Sequence, residues 1–162
     1  MRIKLLILLG TIILSSCNLL NSSKKVEVKK LVTLTYNIHH GAPENSTEVN
    51  LNNIAAVIRK SGAELVALQE VDVNVPRSGN VDQAKVLAKL LDMHYYFSKS
   101  IDYSGGEYGV AILSKYLLTN TRNELLPMPT SGEQRSVAIA TVNLPSDFSV
   151  EFASTHLDLN VS

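Results

Sequence analysis

The sequence predicts an α/β fold in the layered α+β sense, with a mixed β-sheet sandwich flanked by helices. Short apolar segments rich in β-branched residues recur between Gly, Pro, Ser and Asn, a pattern typical of strands. Two longer segments, residues 47–60 and 82–91, carry their aliphatic side chains at helical spacing instead. Segments of both kinds, packed in layers around one core, give this fold class. With 162 residues, the chain has room for one compact domain at most.

The first half of the chain alternates strands with helices. Residues 31–37 alternate in polarity and are β-branched, which predicts a strand. The helix over 47–60 has Thr47 as its predicted N-cap and Gly62 as its predicted stop. The nearly continuous apolar run over 64–70 predicts a strand that is buried on both faces.

From residue 94 onwards the pattern is mostly that of strands. Each segment is short, apolar and bounded by turn-forming residues: 94–98, 108–114, 117–125, 136–143 and 149–155. The last of these segments ends only a few residues before the sequence does. A layered fold with so few helices normally continues into a second half, so we expect the sandwich to be truncated before that half is complete.

Composition restricts the class of protein. Apolar residues make up 45% of the chain and charged residues 19%, values of a globular protein and not of a disordered one. The 15 basic residues balance the 15 acidic ones, and a chain beginning at Cys17 would have 13 basic residues and a net charge of −2. Such a chain exerts no long-range attraction on nucleic acid, although a local basic groove remains compatible with these totals.

The N-terminal segment predicts export. Arg2 and Lys4 precede an apolar run over residues 5–14 that is far too short to span a bilayer. Basic residues followed by a run of this kind are typical of a secretory signal peptide. We place this signal peptide at residues 1–16.

Cys17, the only cysteine of the chain, follows Leu14-Ser15-Ser16. This ending resembles the lipobox of bacterial lipoproteins, which implies that the thiol is acylated and that cleavage leaves Cys17 at the N-terminus. An ordinary signal peptide or a buried apolar helix, with an incidental cysteine, is the alternative. Residues 17–30 contain few large apolar groups and predict a tether. We therefore expect a protein of the cell envelope, lipid-anchored to a bacterial membrane after export.

Four motifs with polar residues lie at the ends of predicted strands. They are Thr35-Tyr36-Asn37-Ile38-His39-His40-Gly41, Leu68-Gln69-Glu70-Val71-Asp72, Gly105-Gly106-Glu107-Tyr108-Gly109-Val110-Ala111-Ile112-Leu113-Ser114 and Ser154-Thr155-His156-Leu157-Asp158. Strand ends are where enzymes built on sheets gather their functional side chains. Taken singly, each motif is a weak signal, because a lone Glu or His at such a position is more often solvated, salt-bridged or satisfied in the core.

Several of these residues suit phosphate and metal chemistry. The Glu70 carboxylate ends an apolar strand, where it is costly unless it is paired or bound to a metal. A Glu carboxylate and the Asn37 amide offer the oxygen ligands that Mg²⁺ or Mn²⁺ accepts. His156 suits a general acid or a hydrogen-bond donor in the transition state. Arg135 suits a clamp on a phosphate oxygen.

Together and in this order, the four motifs resemble those of the endonuclease/exonuclease/phosphatase superfamily, over residues 31–158. We therefore assign residues 31–162 to the N-terminal part of such a domain. The resemblance implies a metal-dependent hydrolase of phosphate esters (of phosphodiesterase, nuclease or phosphatase type) that uses Mg²⁺ or Mn²⁺. It implies that Glu70 is the main metal ligand, that Asn37 supports the metal and contacts phosphate, and that Arg135 contacts phosphate.

The resemblance also implies catalytic roles for two further residues. His156 matches the histidine that protonates or stabilises the reacting phosphate. Glu107 lies where deoxyribonuclease-like members have a glutamate that orients this histidine. For Arg77, a solvated loop position is as good an interpretation as a functional one, and His39 and His40 receive no role.

The sequence departs from the family pattern in its later motifs. The family continues with a Gly-Asp-Phe-Asn motif and a Ser-Asp-His motif that supplies the general base, and these 162 residues contain neither. Asp147-Phe148 is not the former, because it precedes the Thr-His-Leu strand and lacks the Asn. We therefore expect a fragment that is itself inactive or weakly active.

The sequence leaves the substrate and one alternative function open. The substrate classes are a lipid head group, a sugar phosphate and nucleic acid. The membrane is expected to be reached through the lipid anchor, and no protein partner is predicted. The alternative is a non-catalytic envelope lipoprotein that binds phosphorylated ligands or a partner.

Overall fold

The computed structural model describes residues 30–128, 132–145 and 148–157. The predicted signal peptide over 1–16, the lipidation residue Cys17, the tether up to residue 29, and Asp147 and Asp158 lie outside these ranges. The strands are β1 Thr33–Asn37, β2 Leu65–Val73, β3 His94–Tyr103, β4 Gly106–Ser114, β5 Leu118–Leu125, β6 Ser136–Leu144 and β7 Phe148–Thr155. The helices are α1 Leu51–Ser61 and α2 Gln83–Leu91, with short 3-10 turns at His39–Gly41 and Pro76–Ser78. No helix within the described ranges is long and apolar enough to span a membrane.

The strands form two sheets. The first has the order β1-β2-β4-β3, in which β1 is parallel to β2 and the other neighbours are antiparallel. The second sheet is antiparallel, in the order β5-β6-β7. Both helices pack on one face of the first sheet, and the second sheet packs on the other face. The predicted α/β class, a mixed sandwich flanked by helices, is therefore confirmed.

Alternating side chains along β4 contribute to both layers of the core. Leu113 points towards the helices and belongs to one buried cluster with Ile58 of α1 and Leu87 of α2. Ile112 points the other way and belongs to a second cluster with Ala140 of β6. Burying a large aliphatic side chain of this kind contributes about 1.5 to 3 kcal/mol, so the central strand stabilises helices and second sheet alike.

Helix α1 begins later than the sequence predicts. Its N-cap is Asn50 and not Thr47, because the Asn50 side-chain oxygen accepts a hydrogen bond of 3.1 Å from the backbone N–H of Asn53. The Asn50 N–H in turn donates to the Gly41 carbonyl at 2.9 Å, which ties the start of the helix to the turn after β1. At the other end, Gly62 has a φ of 70° and ends the helix as predicted.

Strand β3 is longer than predicted. It continues to Tyr103 because a bulge between Lys99 and Ile101 resets its pairing with β4. Gly109 of β4 allows the backbones to approach closely at this level, since a Cβ there would collide with the carbonyl oxygen of Ser98. The bulge breaks the alternation of polar and apolar residues, which is why the pattern alone ends the strand too early.

Candidate functional site

Asn37 and Glu70 meet at one end of the first sheet. Because β1 and β2 are parallel neighbours, with Asn37 opposite Gln69, the end of β1 lies beside Glu70, which is inside β2. The Asn37 Nδ2 donates to Glu70 Oε1 at 2.7 Å, and the Asn37 Oδ1 accepts from the backbone N–H of His39 at 2.9 Å. Asn37 therefore holds one carboxylate oxygen of Glu70, while the other oxygen has no hydrogen bond with any described residue.

A bulge in β2 sets the backbone of Glu70. Gln69 and Glu70 together lie opposite Val110, because the register with β4 shifts between Leu68 and Val71. Glu70 has a φ of 57° as a result. Left-handed backbone is uncommon for a residue of this type and tends to occur where function requires it.

His39 and His40 bring two imidazoles to the same place. They form a tight turn after β1 in which φ is 45° for His39 and 44° for His40. The two rings are tilted by 46°, and their centroids are 4.3 Å apart. One nitrogen of each ring and a carboxylate oxygen of Glu70 all lie within 4.8 Å of one another. Three side chains able to bind a metal thus converge here, although sequence analysis gave the histidines no role.

The pKa of His40 is lowered from its ordinary value of 6.5. Partial burial is the largest cause, and the positive charges of Arg77 and His39 act in the same direction. The negative charges of Asp72 and Glu70 oppose them. The site therefore favours the neutral form of the His40 imidazole.

Asp72 and Arg77 form an ion pair beside His40. The Asp72 side chain is fully buried, whereas that of Arg77 is 34% exposed. The Nε and Nη2 of Arg77 donate to the two carboxylate oxygens at 2.8 and 2.9 Å. The guanidinium also lies 4.3 Å from the ring centroid of Tyr103 and 5.6 Å from that of Tyr108. Arg77 is thus fixed at the site by the fold, and the solvated-loop interpretation left open by the sequence is wrong.

Tyr108, in the third motif, is a residue of this site that sequence analysis did not single out. Burial, followed by the negative charges of Glu70 and Glu133, raises its pKa to about 12, while the nearby Arg135 and Arg77 oppose the shift. The phenol is therefore protonated at neutral pH, and its hydroxyl can donate a hydrogen bond. Its position directly after the predicted Glu107, on the opposite face of the same strand, was the only signal in the sequence.

The second sheet brings Arg135 to the same end of the molecule. The next residue, Ser136, begins β6, and its Oγ lies 2.7 Å from the Oγ of Ser100 in the bulge of β3. The Arg135 Nη1 donates to Glu133 Oε1 at 2.7 Å, and its side chain is 15% exposed. Its Nε is buried without a hydrogen-bond partner among the described residues. The guanidinium is therefore anchored at one nitrogen and has donors left over.

His156 directly follows β7. Two residues earlier, the Ser154 Oγ donates to the Leu68 carbonyl at 2.9 Å, which ties the end of β7 to β2 two residues before Glu70. The Nδ1 of His156 is buried without a partner, and no hydrogen bond joins its ring to any described residue. A buried polar nitrogen without a partner needs an explanation, and a bound ligand is one.

The predicted contact between Glu107 and His156 is absent. Glu107 instead lies 3.6 Å from the Nζ of Lys99. Side chains alternate along β4, so Glu107 points to the same face as Leu113, which packs against the helices. His156 follows a strand of the second sheet, on the opposite side. The placement of Glu107 as the residue that orients His156 is therefore corrected.

A mixed sheet is covered by helices on one face and by a second sheet on the other, and Glu, Asn, His and Arg side chains gather near one end of it. This combination of fold and site defines a class of protein. The sequence model of the endonuclease/exonuclease/phosphatase family matches residues 34–148. The protein belongs to the endonuclease/exonuclease/phosphatase family, which confirms the resemblance seen in its motifs. Enzymes of this family are phosphoesterases and typically depend on a divalent metal.

Solved structures of the family support the same fold. An endonuclease/exonuclease/phosphatase from Beutenbergia cavernae superimposes with a TM-score of 0.67 at 30% identity, over 76% of this chain and 37% of that one. A family protein from Leptotrichia buccalis has a TM-score of 0.58 at 20% identity, over 80% of this chain and 56% of that one. D. rerio TDP2, in complex with a single-strand DNA product, has a TM-score of 0.54 at 17% identity, over 79% of this chain and 46% of that one. The chain thus spans 37% and 56% of the first two relatives.

Proposed function

We propose that this protein hydrolyses phosphate esters with the help of a divalent cation held by Glu70. One observation carries the proposal. Where β1 ends beside β2, Asn37 Nδ2 holds Glu70 Oε1 at 2.7 Å, and the second carboxylate oxygen has no hydrogen bond with any residue that the structure describes. A carboxylate fixed at one oxygen, in a backbone conformation unfavourable for Glu, is suited to bind a cation.

The residues present fit a divalent ion such as Mg²⁺ or Mn²⁺. Both ions accept a carboxylate oxygen and complete their shell with water and substrate phosphate. Asn37 offers its amide nitrogen to Glu70 and its amide oxygen to the His39 N–H, so in this geometry it orients the carboxylate and is not itself a ligand. When bound, the ion neutralises the charge that develops on the phosphoryl oxygens.

Arg135, His156 and Tyr108 supply donors for the substrate phosphate. The Nη2 of Arg135 and the ring of His156 have no hydrogen bond with a described residue, and each side chain contains a buried nitrogen without a partner. Burying such a nitrogen without a hydrogen bond costs about 1 to 3 kcal/mol of stability. A hydrogen bond to a phosphate oxygen would remove this cost. We place Arg135 and Tyr108 on non-bridging oxygens, and His156 as the residue that protonates or stabilises the reacting group. Glu107 has no part in this arrangement.

Export and membrane anchoring belong to the same proposal. The basic residues Arg2 and Lys4, the apolar run over 5–14 and the Leu14-Ser15-Ser16-Cys17 ending support a lipoprotein signal peptide and acylation of Cys17. Cells that produce the chain with labelled fatty acid should incorporate the label into the wild type and not into Cys17→Ala. Equal labelling of both proteins would remove the anchor from the proposal.

The substrate class follows from charge and location. With a net charge of zero, the chain has no long-range attraction for extended nucleic acid. A membrane-anchored enzyme outside the cytoplasm meets phosphorylated nutrients and lipid head groups first. We therefore rank these small phosphate esters ahead of nucleic acid, although the similar TDP2 structure contains a single-strand DNA product.

Hydrolysis of a small chromogenic phosphodiester tests this function. The assay compares this chain with the chain extended by the downstream codons of its gene, each beside Glu70→Gln and beside Glu48→Gln, an exposed carboxylate outside the site. We expect the extended chain to hydrolyse the diester and this chain to do so weakly or not at all. A chelator should stop the hydrolysis, Glu70→Gln should lower it by about 100-fold or more, and Glu48→Gln should leave it unchanged. If neither chain cleaves a diester, a monoester or a phospholipid, the proposal fails and a non-catalytic lipoprotein that binds phosphorylated ligands takes its place.

A further inference from the structure

The turn after β1 presents two imidazoles side by side. In an extended strand, consecutive residues such as His39 and His40 would point to opposite faces. Here both residues are left-handed, with φ of 45° and 44°, and the ring centroids come within 4.3 Å. The turn is closed by hydrogen bonds from Gly41 N to Ile38 O at 2.9 Å and from Ala42 N to His39 O at 3.0 Å.

A buried glutamine fixes this turn to the neighbouring strand. The Nε2 of Gln83 donates to the His40 carbonyl at 2.7 Å, and its Oε1 accepts from the Asp72 N–H at 2.9 Å. Gln83 is fully buried; its bond to Asp72 is buried and its bond to His40 is partly buried. The two imidazoles and Glu70 of β2 are therefore held together by the fold and not by a flexible loop.

The His39 ring is set in the tautomer that a metal needs. Its Nδ1 lies 2.9 Å from the Ala42 carbonyl oxygen. A carbonyl only accepts, so Nδ1 carries the proton and Nε2 carries the lone pair. A histidine whose second nitrogen donates to a backbone carbonyl is the usual arrangement for a metal ligand. The ring nitrogens of His40 form no hydrogen bond with any described residue, so that this ring is free to turn towards an ion.

Spacing and charge also permit an ion at this point. The donor atoms of His39, His40 and Glu70 lie within 4.8 Å of one another. An ion with bonds of about 2.1 Å brings its ligands to about 3 to 3.5 Å apart, so a modest turn of the unbonded His40 ring completes the approach. The positive charge of the nearby Arg77 is offset in part by its ion pair with Asp72, and the Glu70 carboxylate adds a negative charge at the cluster itself.

We propose that His39, His40 and Glu70 together ligate the cation, and that this two-nitrogen, one-oxygen set selects a transition ion such as Mn²⁺, Co²⁺ or Zn²⁺ over Mg²⁺. Imidazole suits these borderline ions, whose affinity for nitrogen donors rises along the series from Mn²⁺ to Co²⁺ and beyond. Mg²⁺ prefers oxygen and water. The inference rests on the proposed metal site. It names two ligands that the family resemblance left unassigned, and it narrows the metal from Mg²⁺ or Mn²⁺ to a transition ion.

Metal binding by the purified full chain, without any substrate, tests this inference. Pulsed electron paramagnetic resonance on the Mn²⁺-loaded chain should show coupling to histidine nitrogen. Calorimetric titration should show that Co²⁺ binds more tightly than Mg²⁺, with one equivalent per chain. The variants are His39→Asn and His40→Asn, singly and together, because Asn tolerates the left-handed backbone of both positions. The matched control is His94→Asn, an exposed histidine at the start of β3, at the other end of the sheet.

We expect each single variant to weaken Co²⁺ binding by about 10-fold or more, and the double variant by about 100-fold or more. Mg²⁺ affinity should change little, and His94→Asn should match the wild type. Circular dichroism spectra verify that the variants fold, and the nitrogen coupling in the wild type carries the result without any variant. Absence of that coupling, or a double variant that keeps its Co²⁺ affinity, would overturn the inference.

Hydrolysis measured alongside separates this inference from the function. If Mg²⁺ supports phosphoester cleavage and no histidine nitrogen couples to Mn²⁺, the inference fails and the function stands. If the nitrogens couple and neither this chain nor its extended form cleaves any phosphate ester, the metal centre stands and the hydrolase fails.

Discussion

Removing Arg77 should destabilise the protein more than removing the charge of its partner, Asp72. The two side chains share two hydrogen bonds, but they differ in exposure: Asp72 is fully buried and Arg77 is 34% exposed. In Arg77→Met, the Asp72 carboxylate stays buried without a hydrogen-bond partner among the described side chains. In Asp72→Asn, the guanidinium keeps solvent on one side and the Tyr103 ring 4.3 Å away.

The magnitudes follow from this asymmetry. An uncompensated buried charge costs about 3 to 5 kcal/mol, so we expect Arg77→Met to lower the free energy of unfolding by about 3 kcal/mol or more. Asp72→Asn loses charge-assisted hydrogen bonds worth about 1.5 to 3 kcal/mol. Its net cost is smaller than that, because the exposed part of Arg77 regains hydrogen bonds with water. The double variant Arg77→Met/Asp72→Leu removes both charges, so it should be more stable than Arg77→Met alone.

Urea unfolding followed by circular dichroism, at one pH and salt concentration, measures these differences. Arg122→Met is the matched control, because Arg122 also pairs with a carboxylate, Glu151, at 2.9 Å, but both side chains are largely exposed. It should lose far less stability than Arg77→Met. The reasoning is refuted if Arg77→Met costs no more than Arg122→Met, or if Asp72→Asn costs as much as Arg77→Met.

Three further predictions concern the backbone and the titration of the site. Gly109→Ala should lower the free energy of unfolding by about 2 to 3 kcal/mol in urea, because the new Cβ meets the Ser98 carbonyl oxygen; a change too small to measure would contradict this. Since the pKa of His40 is lowered from 6.5, the folded state binds its proton less readily than the unfolded chain, and stability falls as the pH drops from about 6.5 through the lower pKa. The free energy of unfolding is measured in urea at successive pH values, with a chelator present. In His40→Asn it should fall less as the pH drops, and an unchanged slope would contradict the prediction. Glu70→Gly should be more stable than Glu70→Ala by about 1 kcal/mol or more, because only Gly adopts a φ of 57° without cost. Both variants lose the proposed ligand, so the comparison by thermal or urea unfolding isolates the backbone. Equal stability would contradict this.

Periodicity in the sequence was enough to predict the elements of this fold, but it did not predict their ends. The helix over 51–61 has its apolar residues at helical spacing and a Gly directly after it, so its existence and its stop were predictable. Its start was not, because Thr47 and Asn50 are both residue types that cap helices. A tertiary contact decides between them, since the Asn50 N–H is bonded to the Gly41 carbonyl.

The candidate site was predictable in part, for a similar reason. Asn37 and Glu70 were expected to share a site because they end two strands, and parallel pairing of those strands brings them into contact. The expected contact of Glu107 with His156 required both side chains to point to the same side of the first sheet, and motif order says nothing about the face. Tyr108, which does face the site, was missed for the same reason.

Backbone conformation at the site is the feature that no sequence pattern could reveal. Several non-glycine residues have left-handed backbone at turns, helix ends or irregular strand positions: Asn74, Asn80, Asp92, Ser104 and Asn120. Four of these five are Asn or Asp, for which this conformation is cheap because their short side chains bond locally. At the end of the first sheet, His39, His40 and Glu70 adopt the same backbone, with φ of 45°, 44° and 57°.

These three residues gain nothing from that conformation by themselves. Left-handed backbone costs Glu70 about 1 to 2 kcal/mol, and it is uncommon for the two histidines, although His adopts it more often than most residue types. All three are residue types that bind metals, so this backbone conformation supports the proposal that they share an ion. Strain of this kind persists only where the surroundings enforce it, as the bulge opposite Val110 does for Glu70 and the Gln83 bond does for His40. The sequence contains these three residues but not their φ angles. The unusual backbone that supports a shared ion is therefore visible only in the structure.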